Sequence, residues 1–376
     1  TESKTVYNKT GLIDVSETTS NQESKLALLK FSTTYKPNDD LHIDYDIFGK
    51  LSNQTELVHV TSTQRSADTY KKEEPISINQ NFNAYYNVNE KNILAAELQY
   101  IYEKDKPLSN SLTDTQPFSF IPSVDQELYD MTQYKNFDTS KFDGKIDYYY
   151  LLNQKSNINL SFGSTLSSQN YHTSISQILD NGTEIDFTEQ ELNNHVDYNF
   201  TDLFVGVYYK IVEGIFTFNP GVNLHNYQIK DEQLSMVDKE SLIKILPDVY
   251  ARFQFKSSES LRFNYSISSQ FSDVNDAAEG FIYSNYRAMY KGNRDLENSL
   301  NHKYSLSYFS FSMFNFTNIN ASLNYTKKVN GIKNRTLLVG VDRVSSPVNS
   351  EFADETFSGN FRYGKTYSKL KTNFRA

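Results

Sequence analysis

Cysteine is absent from the 376 residues, which removes disulfide frameworks, thiolate metal sites and cysteine nucleophiles together. Tryptophan is absent as well. No stretch approaches the ~18 to 20 apolar residues of a spanning helix; Leu203 to Tyr209 is among the longest apolar runs, so a helical membrane protein is excluded. Positive charge is in deficit, with a net charge of -9 and no basic stripe. Nucleic-acid phosphates require a basic footprint, so nucleic acid is not an expected partner.

Signatures of chemistry are missing too. The histidines, His42, His59, His172, His195, His225 and His302, show no HExxH or paired spacing. No GxSxG, P-loop or dinucleotide-binding glycine run occurs. Carboxylates are abundant, but none is singled out as an acid and base pair. Asp273, Asp276 and Glu279 share one stretch without the spacing or glycine of an EF-hand, and are read as a solvated acidic loop. No catalytic residue, metal site or cofactor is expected, and the chain is not read as an enzyme. The first ten residues, TESKTVYNKT, contain neither a basic nor an apolar signal region, so any secretion signal is expected to have been removed or to lie upstream. No Gly/Ser-rich or Pro-rich linker divides the chain, and residues 1–376 are read as one domain.

What is present is aromatic and alternating. Tyr and Phe number 28 and 26, yet only 38% of residues are hydrophobic and the mean hydropathy is -0.61. That pairing is odd for a soluble core. It suits a transmembrane barrel, in which each strand shows lipid one face and a wet lumen the other while aromatics collect at the interfaces. Asp248 to Lys256 alternates Val249, Ala251, Phe253 and Phe255 with Tyr250, Arg252 and Gln254. After Ser257–Ser260, Leu261, Phe263, Tyr265 and Ile267 alternate with Arg262, Asn264 and Ser266. Similar units flank tight turns at 37–40, 88–91, 153–156, 213–214, 313–315 and 366–369. Seven hairpins predict fourteen antiparallel strands. Long connections are expected at 53–74, 104–140, 168–194, 230–242, 272–299 and 329–355, alternating strictly with the short turns as in outer-membrane barrels. A short helix is expected at Thr188 to Asn194, where Thr188 and Glu191 fit a capping box.

Two stretches carry a family resemblance. Tyr290-Lys291-Gly292-Asn293-Arg294-Asp295-Leu296-Glu297, running on to Tyr308, resembles the Gly-Asn…Leu…Glu segment that leads from an extracellular loop into a descending strand in TonB-dependent outer-membrane receptors, especially those of Bacteroidetes. Gly292, Asn293, Leu296 and Glu297 match; the family's prolines are absent. Ser346-Pro347-Val348-Asn349-Ser350, followed by Thr356 to Gly364, resembles a later strand entry of the same receptors. The resemblance implies a barrel of about 22 strands with a plugged lumen, an N-terminal plug and a segment engaged by the TonB complex. No plug-like or TonB-box segment precedes the first strand here and no terminal aromatic ends the chain, so it is read as an internal barrel portion with plug and closing strands elsewhere. The implied function is energised uptake of an extracellular ligand, in the lipid of the outer membrane. The alternatives are a scaffold barrel in a secretion or surface-lipoprotein assembly, and a passive porin.

Two connections concentrate aromatics with arginine, the usual equipment of contact surfaces. One carries Phe281, Tyr283, Tyr286, Arg287, Tyr290 and Arg294; the other carries Tyr129 and Tyr134 with Phe118, Phe120 and Phe137. They are the expected ligand- or partner-binding residues, with packing among the loops as the equal alternative.

Overall fold

A computed structural model describes residues 1–7, 11–367 and 371–375. A short strand, β1 (Glu2–Tyr7), precedes β2 (Leu12–Tyr35) and β3 (Leu41–Ser62). After β4 (Ala67–Glu73) come β5 (Ile76–Asn89), β6 (Asn92–Asp105) and β7 (Leu108–Thr113). The long strands β8 (Tyr129–Asn153) and β9 (Ser156–Ile178) lead through β10 (Glu184–Asp186) to β11 (Asn194–Glu213), β12 (Phe216–Gln233), β13 (Met236–Lys256) and β14 (Glu259–Gln270). Helix α1 (Val274–Ala277), β15 (Phe281–Asn285) and β16 (Ala288–Lys291) form the next connection. Last come β17 (Ser299–Ser312), β18 (Thr317–Val329), β19 (Ile332–Val339), β20 (Asp342–Asn349), β21 (Asp354–Tyr367) and β22 (Thr372–Arg375). Among the described residues no helix is long and apolar enough to cross a membrane.

The fold is all-β. An eighteen-stranded antiparallel sheet contains all fourteen strands of the seven expected hairpins, each paired with its neighbour from β2 to β22. Of the seventh turn, Thr366 and Tyr367 lie in β21 and pair with β22, while Ser368 and Lys369 fall outside the described residues.

The register sorts the two faces. Tyr35, Ile43, Ala84, Ala96, Ile146, Phe162, Val205, Leu224 and Ile245 stand opposite one another in succession from β2 to β13. One residue away runs the row Thr34, Asp44, Asn83, Glu97, Lys145, Gly163, Phe204, His225 and Lys244. A soluble sheet would cover the first row; here Phe162 and Val205 stay 58% and 50% exposed, as a lipid-facing belt requires. On β3 the belt runs from Leu41 to Leu51 before Asn53 ends it, close to the 9 to 11 residues, roughly, of a tilted membrane strand. Farther along, Ala251 faces Phe263 and Phe253 faces Leu261, while Arg252 faces Arg262 on the other side.

Several expected connections change: β3 and β4 occupy most of 53–74, β8 begins well inside 104–140, and β9 runs well into 168–194. The long connection at 230–242 is a continuation of β12 and β13 to a two-residue turn, with Leu234 and Ser235 both at positive φ (52° and 61°). Beyond the bilayer the ladder of hydrogen bonds persists while its hydrophobic alternation stops, so a solvated strand reads as a loop. The helix at Thr188 to Asn194 is a single 3-10 turn, Gln190–Leu192.

Candidate functional site: the inner wall and its cap

The connection between β14 and β17 identifies the inside of the sheet. It folds across the polar face and reaches strands far from its own: the Tyr283 amide donates to Gln133 Oε1 on β8 (2.7 Å), and the Arg287 guanidinium meets Asp14 on β2. A sheet whose distant strands touch one connection on one face must curl around it. This connection therefore caps the lumen at the end opposite the short turns.

Three wall amides grip the cap's backbone. Asn194 Nδ2 donates to the Gly280 carbonyl (3.1 Å) while its Oδ1 accepts the Gly280 amide (2.8 Å). Gln233 repeats this with the Ala277 carbonyl (3.0 Å) and the Glu279 amide (3.1 Å), and Gln133 holds Tyr283. Apolar packing completes the seat. Val274, Ala277, Ala278 and Ile282 bury against Tyr171, Val196 and Tyr198 of the wall; Tyr283 and Met289 join Phe118, Ile121, Met131 and Ile175. Glycine is needed at two contacts, because a Cβ on Gly280 would lie 2.3 Å from the Asn193 carbonyl and one on Gly292 would lie 2.4 Å from that of Ala278.

The two family-like stretches meet here. Asn293 Nδ2 donates to the Pro347 carbonyl (3.2 Å), and Asn349 accepts the Glu297 amide (2.8 Å) while donating to its carbonyl (2.9 Å). The first motif is thus the backbone corner by which the cap leaves the lumen, and the second is the strand that receives it.

Each expected contact residue has a definite place. Tyr283 is fully buried. Arg287 is bound by Asp14, the Ser62 hydroxyl (2.8 Å) and the Arg65 carbonyl (3.1 Å), next to a second ion pair, Arg65 to Asp342 (2.6 Å). Arg294 pairs with Asp231 (2.8 Å), and Tyr290 donates to Asp276 (2.6 Å). Tyr129 is buried and donates to Asp125 (2.5 Å). Phe281 packs on Phe120 in a tilted arrangement with centroids 4.9 Å apart; Tyr286 is half-buried with Arg287 over its ring, and Tyr134 is exposed. Burial pushes Asp14 up, but the hydrogen bonds from Arg287, Ser62 and Thr63 outweigh it and hold the carboxyl below its usual range. Burial instead dominates at Asp231 and Asp276 and raises both.

Beneath the cap the wall has residues that the sequence did not single out. A groove of about 600 Å³ lies between Phe271 and Asp273 of the cap and Phe200, Asp202 and Tyr227 of the wall. In it His225 stacks between Phe204 (4.9 Å) and Tyr227 (5.2 Å) and bonds Asp202 (2.9 Å). Nearby, Lys145 pairs with Asp147 (3.0 Å) and Glu97 (3.5 Å), and Lys141 with Asp143 (2.9 Å). Arg252 and Arg262 stand directly opposite each other, neither has an ion-pair partner among the described residues, and Arg252 Nε is buried without a hydrogen bond.

No family model matches the chain, and no curated protein matches it. Solved structures do. The chain is similar to one titled "Structure of the RagAB peptide importer in the 'closed-closed' state" (TM-score 0.53, 10% identity, 94% of this chain and 48% of that one). It is also similar to "Copper transporter OprC" (0.52, 12%, 95% and 56%) and to the unliganded "ferric citrate transporter FecA" (0.51, 11%, 95% and 53%). At such identities the likeness establishes the fold, that of the outer-membrane receptor and transporter barrels. The chain spans about half the length of these structures.

Proposed function

We propose that the chain is the barrel portion of a TonB-dependent receptor that binds an extracellular ligand for energised uptake, with the lumen filled by a plug. One observation carries the reading. Two guanidiniums directly opposite each other on a lumen wall, without a counter-ion, repel, and a buried donor left unpaired costs on the order of 1 to 3 kcal/mol. Carboxylates on a folded segment inside the barrel would settle both. A passive pore offers them only water and mobile ions. β1 pairs β2 only along Leu12–Glu17 and β22 pairs β21 only along Gly364–Tyr367; the rest of those two edges is where closing strands would pair, and the Gly292-Asn293 corner supports a receptor of the Bacteroidetes type. Tyr134, Phe281 and Tyr286 are exposed or half-buried members of the expected contact set and are assigned to ligand or partner contact at the outer face; Tyr129, Arg287, Tyr290 and Arg294, each bound by a carboxylate, and the fully buried Tyr283 hold the surface that carries them. A surface lipoprotein is the partner class best suited to that face.

The test is electrical. The intact gene product in planar bilayers should show no steady conductance, and the double variant Arg252→Gln with Arg262→Gln should open intermittently as the plug loosens. A steady open channel in the parent would establish the porin reading instead.

A further inference from the structure

The six histidines are dispersed in sequence, but the sheet brings two together. His172 on β9 and His195 on β11 are direct cross-strand partners, with ring centroids 4.1 Å apart in an edge-to-face arrangement. Their neighbours Tyr171 and Val196 are buried under the cap, so by alternation both imidazoles stand on the outer face of the wall. The position lies six residues beyond Leu166, where the belt ends on β9, or roughly 20 Å along the strand. This is the zone above the bilayer on the cap side.

We propose that His172 and His195 form a two-imidazole site for a divalent transition-metal ion, Zn2+, Ni2+ or Cu2+. The other four histidines are committed: His42 to Asp44, His59 to Asp68, His225 to Asp202, and His302 to Tyr265. Neither His172 nor His195 has a hydrogen-bond partner among the described residues, leaving their ring nitrogens to each other and to solvent. Two imidazoles on one tetrahedral ion place their nitrogens roughly 3.3 Å apart, a separation these rings reach from a centroid distance of 4.1 Å by small rotations about χ1 and χ2 that part the rings. Imidazole suits these ions.

The surroundings favour a cation. Asp197 follows His195 by two residues on the same face, and in the register it faces Asn170, which faces Asp138. His195 and Asp197 also line a groove of about 700 Å³ together with Asp186 and with Glu232, which pairs with Lys230 (3.0 Å). Two protein ligands leave coordination positions open, so the site would take a hydrated ion or one already carrying small donors.

The test uses the full protein in detergent. With one equivalent of Cu2+, electron spin-echo spectroscopy should count two imidazole nitrogens in the parent and one in either His172→Gln or His195→Gln. Zn2+ affinity by calorimetry should fall about tenfold or more in each variant, since losing even an outer-shell partner of a metal costs about 10 to 100-fold. His59→Gln should change neither. His195 is exposed, so its variant retains the strand; independently of any variant, Zn2+ should protect both imidazoles of the parent from acylation by diethylpyrocarbonate. A single coordinated nitrogen in the parent, unchanged Zn2+ affinity in the variants, or acylation of both rings at the same rate with and without Zn2+ would each overturn the site.

Discussion

Asn194→Ala tests how the cap is held. Asn194 is 5% exposed, and its amide serves three groups: the Gly280 amide (2.8 Å), the Gly280 carbonyl (3.1 Å) and the Thr173 hydroxyl (2.8 Å). Alanine leaves the two Gly280 backbone groups without partners in a place where Gly280 is pressed against Asn193 and excludes water. An unsatisfied buried polar group costs about 1 to 3 kcal/mol, so two of them weaken docking by about 3 kcal/mol. At 1.4 kcal/mol per decade, that multiplies the population of undocked cap by roughly 100. The barrel ladder is untouched, because β9 and β11 pair through backbone along this stretch. Hydrogen exchange should therefore quicken by about two decades at Gly280, Ile282 and Tyr283 and stay unchanged at Val205 and Leu224. Exchange at Gly280 within twofold of the parent would refute the clamp, and equal acceleration at Val205 would show that the cap is part of the barrel's own stability.

Gly292→Ala forces a Cβ to within 2.4 Å of the Ala278 carbonyl and 2.7 Å of that of Asp276; limited proteolysis should then cleave within 271–298 in the variant and not in the parent. The depressed folded value of Asp14 means that its contribution to cap stability is present above the ordinary value of 3.8 and lost as pH falls through the folded one. Acidification through the lower, folded value should free the Arg287 end, whereas Asp14→Asn should free it already at neutral pH, both read by exchange at Tyr286 and Arg287. Phe162→Arg, on the exposed apolar row, should destabilise the protein in lipid vesicles by roughly 2 to 4 kcal/mol, while Asn83→Arg on the adjacent polar row should cost far less in the same unfolding titration.

The hairpins were legible because a bilayer imposes period two wherever a strand crosses it. Val249 to Ile267 showed both faces in the residues alone, and the observed register agrees. Legibility ended where the membrane ends. Beyond the belt, β12 and β13 carry Lys230, Asp231, Glu232, Asp238 and Lys239 on strands held by backbone bonds, and nothing in that composition separates strand from loop. The contact residues show the same limit. Aromatics and arginines mark both a binding surface and a tightly seated loop, and only their partners, such as Asp14 lying 273 residues from Arg287, reveal which are anchored. Gln133, Asn194 and Gln233 had no signal, since a buried amide in a polar strand looks like any solvated one. His172 and His195, 23 positions apart, became neighbours through register alone.

The central claim is that one face of this sheet meets lipid and the other encloses a wet lumen. Because the chain has no tryptophan, a single introduced one is an unambiguous probe. Val205→Trp, on the apolar row, and Asn219→Trp, on the opposite face of the adjoining strand, should be compared in vesicles of brominated lipid. Quenching should be strong at 205 and slight at 219. Equal quenching at the two positions, or stronger quenching at 219, would contradict it.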